Sequence, residues 1–275
     1  MRFIVQHDTH YRYNVPVMLA PHVLRLTPRA SENRLLSRTL AVQPQPADLR
    51  EEIDPFGNQV TRATFAAVPT DHLHIESRFE LDTVGELPPP PAAMAFARLP
   101  WPAVTGTGLD QGAYDAGVWP FARALAAEVD DQPWQFLDHL CQTLHARTDG
   151  HVRLTGDAQQ AAETLATWRG ACRDLTVLFM AAARSLGLLS RFCSGYQAAP
   201  QTSDGQRYLH AWPEVFLPGL GWRGWDPTNG VRAGDGHVAL CAAPDQAGTM
   251  PVVGGYYFGS AITATLDYEV KIRTL

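Results

Sequence analysis

Lysine is all but missing from this 275-residue chain: of 22 basic residues only Lys271 is a lysine, and the rest are arginines. The bias reads as genomic base composition. A basic excess is missing too, since the formal net charge is −6. A general nucleic-acid binder needs a basic face, so that class is set aside. Cysteine is sparse. Cys141, Cys172, Cys193 and Cys241 are separated by 31, 21 and 48 residues, which leaves no C-x-x-C pair for zinc or redox work. Four cysteines in a chain this long do not make a disulfide scaffold, so free thiols in a reducing compartment are expected. Long apolar runs are lacking as well. The longest, Leu175 to Ala183 broken by Thr176, falls far short of the ~20 residues of a membrane span. The opening MRFIVQHDTHYRY has no apolar stretch of a leader's ~7–15 residues. The expectation is a cytoplasmic protein with no membrane and no nucleic-acid partner.

What is present is the composition of a folded protein, 45% hydrophobic and 18% charged. Glycine and proline together number 43, well under the ~25–30% of low-complexity chains. Residues 1–87 read as a small all-β sandwich-like module. His7, Thr9, Tyr11 and Tyr13 share one face of a strand by the two-residue period. Further strands are expected at 23–27, 39–42, 59–66 and 73–82, with a turn at Asp54-Pro55-Phe56-Gly57-Asn58. The run Leu87-Pro88-Pro89-Pro90-Pro91 cannot donate to a ladder and favours extended geometry, so 88–117 is expected to be a proline-rich linker and lead-in. From Val118 the period changes. Phe136, Leu137, Leu140, Cys141 and Leu144 recur at helical spacing, and 158–168 is a second helical stretch. Leu175, Leu178, Phe179, Ala182 and Leu186 make the most apolar helix face, with Gly187 as its stop. Strands follow at 190–196, 210–217, 222–225 and 263–272. Helices followed by strands predict an α+β core over 118–275.

Three segments carry the candidate chemistry: Trp168-Arg169-Gly170-Ala171-Cys172-Arg173-Asp174, Leu209-His210-Ala211-Trp212-Pro213-Glu214-Val215 and Gly221-Trp222-Arg223-Gly224-Trp225-Asp226-Pro227-Thr228. Cys172 falls at the start of the apolar helix, where unpaired N–H groups and the helix dipole favour an anion. A thiolate there is a nucleophile at neutral pH, and its own N–H can face an oxyanion. His210 begins a strand that would hold it rigidly, and Asp226 ends another. A thiol catalyst needs a nucleophile, an imidazole to share its proton and a third group to orient the imidazole. Here these come as Cys, His and Asp at gaps of 38 and 16 residues.

Read together, RGACRD, LTVLFMAAARSLGLLSRFCSGY, HAWPEVF and GWRGWDPT make the stretch from Glu163 to Asp226 resemble the core of the transglutaminase-like superfamily. The resemblance implies a papain-like α+β fold, a nucleophile helix packed on an antiparallel sheet, with Cys172 as nucleophile, His210 as base and Asp226 as its orienting group. His7-x-Thr9-x-Tyr11-x-Tyr13 with Pro16, Leu24-Arg25-Leu26-x-Pro28-Arg29 and Asp54-x-Phe56-Gly57-Asn58 are similar to the N-terminal module of bacterial transglutaminase-like proteins. Pro251 to Gly259 resembles their closing region. Pro213 departs from the pattern and, having no N–H, suggests an edge or bulge. The segment Ala243-Pro244-Asp245-Gln246 departs as well, which puts an active-site role for Asp245 in doubt. Trp168 and Trp212 are candidates for the oxyanion hole or the cleft wall.

Two histidine pairs, His7 with His10 and His72 with His74, lack a third ligand in the sequence, so no metal and no cofactor are expected. Cys141 and Cys193 are expected to be buried, and Cys241 half-exposed. The function these residues predict is a thiol-dependent amide hydrolase, protease-like or amidase-like, acting through an acyl-thioester on a peptide, protein or other amide. Two alternatives are a glutamine γ-glutamyltransferase, in which an amine resolves the thioester, and a binding or scaffold module that keeps the fold without turnover.

Overall fold

Strict alternation shapes the first strand of the computed structural model, which describes residues 1–30, 33–85, 87–91, 94–102, 115–200, 202, 205–257 and 262–275. In β1 (Arg2–Leu19), Phe3, Val5, His7 and Thr9 are buried while their even-numbered neighbours are partly exposed. There follow β2 (His22–Leu24), β3 (Asn33–Gln43), β4 (Asp48–Ile53), β5 (Gln59–Thr64) and β6 (Thr70–Thr83). Strand β4 was not foreseen. It lies at the edge of its sheet and is mostly exposed, so it carries no apolar alternation. Of the expected linker over 88–117, residues 92–93 and 103–114 lie outside the described residues.

The second half begins with α1 (Trp119–Ala127), α2 (Pro133–Arg147), the short β7 (Asp149–Gly150), α3 (Ala161–Thr167), β8 (Arg169–Gly170) and α4 (Cys172–Ser185). Proline in the first turn opens α1 and α2, where its missing N–H costs nothing. Gly187 adopts φ +85° just past α4, so the helix stops there as expected. Next come β9 (Ser190–Gln197), β10 (His210–Leu217), β11 (Gly221–Asp226), β12 (Val231–Arg232), β13 (His237–Ala243), β14 (Val252–Val253), β15 (Tyr256–Tyr257) and β16 (Ala264–Thr274). The core sheet has the order β12-β11-β10-β9-β13 and is antiparallel in its pairings. The helices bury Leu137, Leu140, Leu178 and Phe179 against Val215, Leu217 and Trp225 of this sheet. The molecule is therefore α+β: an all-β N-terminal module and a core in which the helix bearing Cys172 lies on an antiparallel sheet. No helix among the described residues is long and apolar enough to cross a membrane.

The strand expected over 263–272 forms, but it joins the N-terminal sheet and not the core sheet. β16 pairs with β1 from Phe3↔Thr274 to Tyr13↔Ala264, and β6 pairs along the other side of β1. The two halves also share an apolar cluster in which Phe3, Val5, Phe79 and Leu81 meet Tyr196, Val238, Leu240 and Cys241. Cys241 is thus fully buried, against the half-exposed position expected of it, because that side of β13 is covered by the N-terminal sheet. The Asp54–Asn58 turn docks on the core. Asn58 donates to the Ala242 carbonyl (2.9 Å) and accepts from the Ala242 N–H (2.8 Å), while Asp54 holds the turn closed through the N–H groups of Phe56 and Asn58. Pro213 sits in an interior strand. The β10–β11 ladder reaches only Glu214↔Gly224, so at Pro213 the chain is paired with β9 alone and a missing N–H is tolerated.

Candidate active site

Cys172 is the first residue of α4, and Ala171 precedes it in an extended conformation. That helix start is fastened by Asp174, which is fully buried. Its carboxylate accepts from the Ala171 N–H (2.7 Å), the Gln159 N–H (2.8 Å) and Arg153 Nη2 (2.5 Å). Gly170 packs against Asp174 so closely that a Cβ there would lie 2.9 Å from the Asp174 Cβ. The site thus needs Gly170 and Asp174 as a pair, and the RGACRD segment supplies both.

His210 and Asp226 come from neighbouring antiparallel strands, and both are buried. His210 Nε2 lies 2.8 Å from Asp226 Oδ2, and the same imidazole is the group that lowers the pKa of the Cys172 thiol. With Nε2 engaged by the carboxylate, Nδ1 is the nitrogen left for sulfur. Burial opposes charge on Cys172, but the His210 hydrogen bond and charge, helped by the Ala211 N–H and Arg173, outweigh it and hold the thiol below its ordinary range. Burial likewise opposes protonation of His210, yet Asp226 and Cys172 raise its pKa well above that of a free imidazole. Burial disfavours the Asp226 charge, but His210 and His237 overcome this and depress its pKa strongly. Together the three groups favour a thiolate–imidazolium pair over a neutral one. Cys141 and Cys241, by contrast, are pushed up by burial.

Sequence reasoning missed His237. Its Nε2 lies 2.9 Å from Asp226 Oδ2, the oxygen that also receives His210. The Gly234 N–H donates to His237 Nδ1 at 3.4 Å, so Nε2 carries the hydrogen that goes to Asp226. Asn229 Nδ2 donates to the same oxygen (2.7 Å), and the N–H groups of Thr228 and Asn229 hold Oδ1. No motif marks His237 in the sequence, and a Gly-Asp-Gly run before it reads as a turn.

The two tryptophan candidates go to different places. Trp212 is buried beneath the sheet, edge-on to His237 with ring centroids 5.1 Å apart and 6.0 Å from His210, so it walls the imidazoles and not the cleft. Trp168 ends α3 in the left-handed region (φ 51°), with Phe121 edge-on to it and the Arg147 guanidinium 3.8 Å above its ring. It faces the helical layer and is not among the residues lining the cleft. Asp245 accepts from the Gly248 N–H (2.9 Å) and serves a turn.

A cleft of about 660 Å³ opens over Cys172 and His210. Its far wall is not part of the core: His7, Thr9 and Tyr11 of β1 and Leu266 and Tyr268 of β16 line it. Their lining positions follow from the odd-residue face of β1 and its register with β16. His7 Nδ1 meets the Tyr196 hydroxyl at 2.7 Å, and burial lowers its pKa to about 4.

Comparison with known proteins agrees with this architecture. Residues 3–82 match the bacterial transglutaminase-like N-terminal region, and residues 123–227 match the transglutaminase-like superfamily. An uncharacterized protein of Mycobacterium tuberculosis is 27% identical over 305 residues, covering 98% of this chain and 92% of that one. One of Mycobacterium leprae is 26% identical over 291 residues, covering 100% and 99%. Among solved structures, a proposed cysteine protease of Cytophaga hutchinsonii shares the fold at TM-score 0.70 and 18% identity, covering 100% of this chain and 91% of that one. The chain thus joins a bacterial transglutaminase-like N-terminal region to a transglutaminase-like core.

Proposed function

We propose that this protein is a cysteine-dependent amide hydrolase working through an acyl-thioester on Cys172. The observation that carries the reading is the thiol at the first residue of α4, opening on the same cleft as an imidazole that rests on a buried carboxylate and lowers the thiol's pKa. In this reading the Cys172 thiolate attacks the amide carbonyl. The oxyanion forms over the N-terminal turn of α4, where the Cys172 N–H and the helix dipole stabilise it. The His210 imidazolium then gives its proton to the departing amine, the C–N bond breaks and the thioester remains. Water enters from the open side of the cleft, His210 removes its proton, and collapse of the second tetrahedral species releases a carboxylic acid and restores the thiolate. Asp226 keeps the imidazole oriented throughout and stabilises its charged form.

Two measurements test this. Iodoacetamide is expected to alkylate Cys172 near neutral pH much faster than a free thiol, and the His210→Ala variant is expected to lose that advantage. Equal rates in wild type, His210→Ala and free cysteine would remove the catalytic reading and leave a binding module. Incubation with a glutamine-containing peptide library and a primary amine, followed by mass, then divides hydrolysis from transfer. Cleaved or deamidated peptides support the hydrolase, whereas amine adducts make the protein an acyltransferase using the same three residues.

A further inference from the structure

The two histidine pairs of the sequence are rearranged by the sheet. His10 and His74 stand directly opposite one another on β1 and β6, their rings stacked 3.9 Å apart and nearly parallel at 9°. Asp8, two residues before His10 on β1, projects from the same face. One ligand atom from each of Asp8, His10 and His74 lies within 4.8 Å of the others, and His74 Nε2 is 3.3 Å from Asp8 Oδ1. The third ligand that neither pair had in the sequence is supplied by the strand pairing.

We propose that Asp8, His10 and His74 form a binding site for one borderline divalent transition metal ion, of the zinc type, on the outer face of the N-terminal sheet. Three features support it. Two imidazoles and one carboxylate suit zinc and its neighbours, and they suit magnesium or calcium poorly, since those prefer all-oxygen shells. Ligand atoms in a tetrahedral zinc site lie about 3.4 Å apart, so small side-chain rotations close the group around an ion. An outer partner is already in place: Gln6 Nε2 donates to Asp8 Oδ2 at 2.7 Å, leaving Oδ1 turned toward His74.

The surroundings do not compete for the site. The acidic residues opposite Asp8 and His10 are each paired with a neighbouring cation: Glu76 with Arg78, Glu269 with Lys271 (2.9 Å) and Asp267 with Arg12 (3.4 Å). Asp8 itself is largely covered, with 15% of its side chain exposed, and His74 has 26% exposed. Solvent can therefore complete the coordination with water. An ion here would tie β1 to β6 on the side of β1 opposite His7, Thr9 and Tyr11, which line the cleft. It would thus stiffen the cleft wall without entering the cleft.

The test is calorimetric titration of Zn²⁺ into the full chain, in wild type and in the Cys172→Ala, His10→Ala, His74→Ala and Asp8→Asn variants. Circular dichroism confirms that each is folded. The expected result is one zinc per chain in wild type and in Cys172→Ala, with a loss in both histidine variants of at least the ~10-fold that removing even an outer partner costs. Asp8→Asn changes no volume and is expected to weaken binding in the same direction. Thermal midpoints should rise with zinc only where binding survives. Equal affinity in wild type, His10→Ala and His74→Ala would overturn the assignment. Loss of binding in Cys172→Ala would overturn it too, by moving the ion to the thiol. Magnesium binding as tightly as zinc would overturn the donor set.

Discussion

Asp226 Oδ2 is where two imidazoles and one amide meet, from His210, His237 and Asn229. A carboxylate with this many donors is held both ionised and immobile, and the orientation of His210 follows from it. His237 is not among the residues lining the cleft over Cys172, so in the proposed reaction it is a positioning residue. Replacing His237 by Phe keeps a ring beside Trp212 but removes one donor to a charged group, a loss on the order of 1.5 kcal/mol or about tenfold in rate. Steady-state kinetics on whichever amide the peptide library yields should show that loss in kcat/KM. The pH profile separates positioning from mere packing. With one competing donor gone, Asp226 holds the His210 proton more firmly, so the alkaline limb should move to higher pH. A variant that loses rate with an unmoved alkaline limb would show His237 to be only a structural neighbour. The His210–Asp226 pair also sets the acid limb. Activity should begin where Cys172 loses its proton, below the ordinary thiol range, and end only where His210 loses its own, above the ordinary imidazole range.

At the scale of elements, the start of α4 depends on one buried side chain. Asp174 takes three donors, two of them backbone N–H groups from different segments. Asp174→Ala should therefore cost about 3 kcal/mol, since it strands Arg153 and frees the buried Ala171 N–H and the part-buried Gln159 N–H. Urea unfolding followed by fluorescence would measure it, and a change below about 1 kcal/mol would contradict the role. Much of this region was legible in the sequence. Leu175, Leu178, Phe179 and Ala182 mark a helix face, Gly187 ends it, and the cysteine lies one turn ahead of the apolar run. The strands bearing His210 and Asp226 were legible by their aromatic content. Strand β13 was not, because a wholly buried run of small residues such as Val238-Ala239-Leu240-Cys241-Ala242 has no alternation to read. Its invisibility is also why His237 was missed. Sequence periodicity assigns a residue to a face but not to a neighbour. The odd residues of β1 were recognised as one side of a strand, yet nothing said that this side would look at a thiol, or that His10 would stack on His74.

For the whole molecule, the N-terminal sheet and the core are one folding unit as much as two modules, since they share an apolar cluster and the Asn58–Ala242 bonds. His7 lies at this junction, buried and neutral at ordinary pH. On unfolding, its pKa returns from about 4 to the free imidazole value of 6.5. The unfolded chain then binds more protons between these limits, so stability falls as the pH drops from 6.5 towards 4, by roughly 3 kcal/mol from this group. Denaturant midpoints measured across that range should slope accordingly, and the slope should flatten in His7→Gln. An unchanged slope in that variant would assign the effect elsewhere. The pairing of β16 with β1 has a consequence for synthesis. Domains emerging from the ribosome usually fold from the N-terminus forward. Here Cys172, His210 and Asp226 are all made before Leu266 and Tyr268, which complete the cleft wall. A nascent chain that has exposed its thiol still lacks the Leu266 and Tyr268 part of the cleft wall, so the cleft stays incomplete until the last strand pairs with the first.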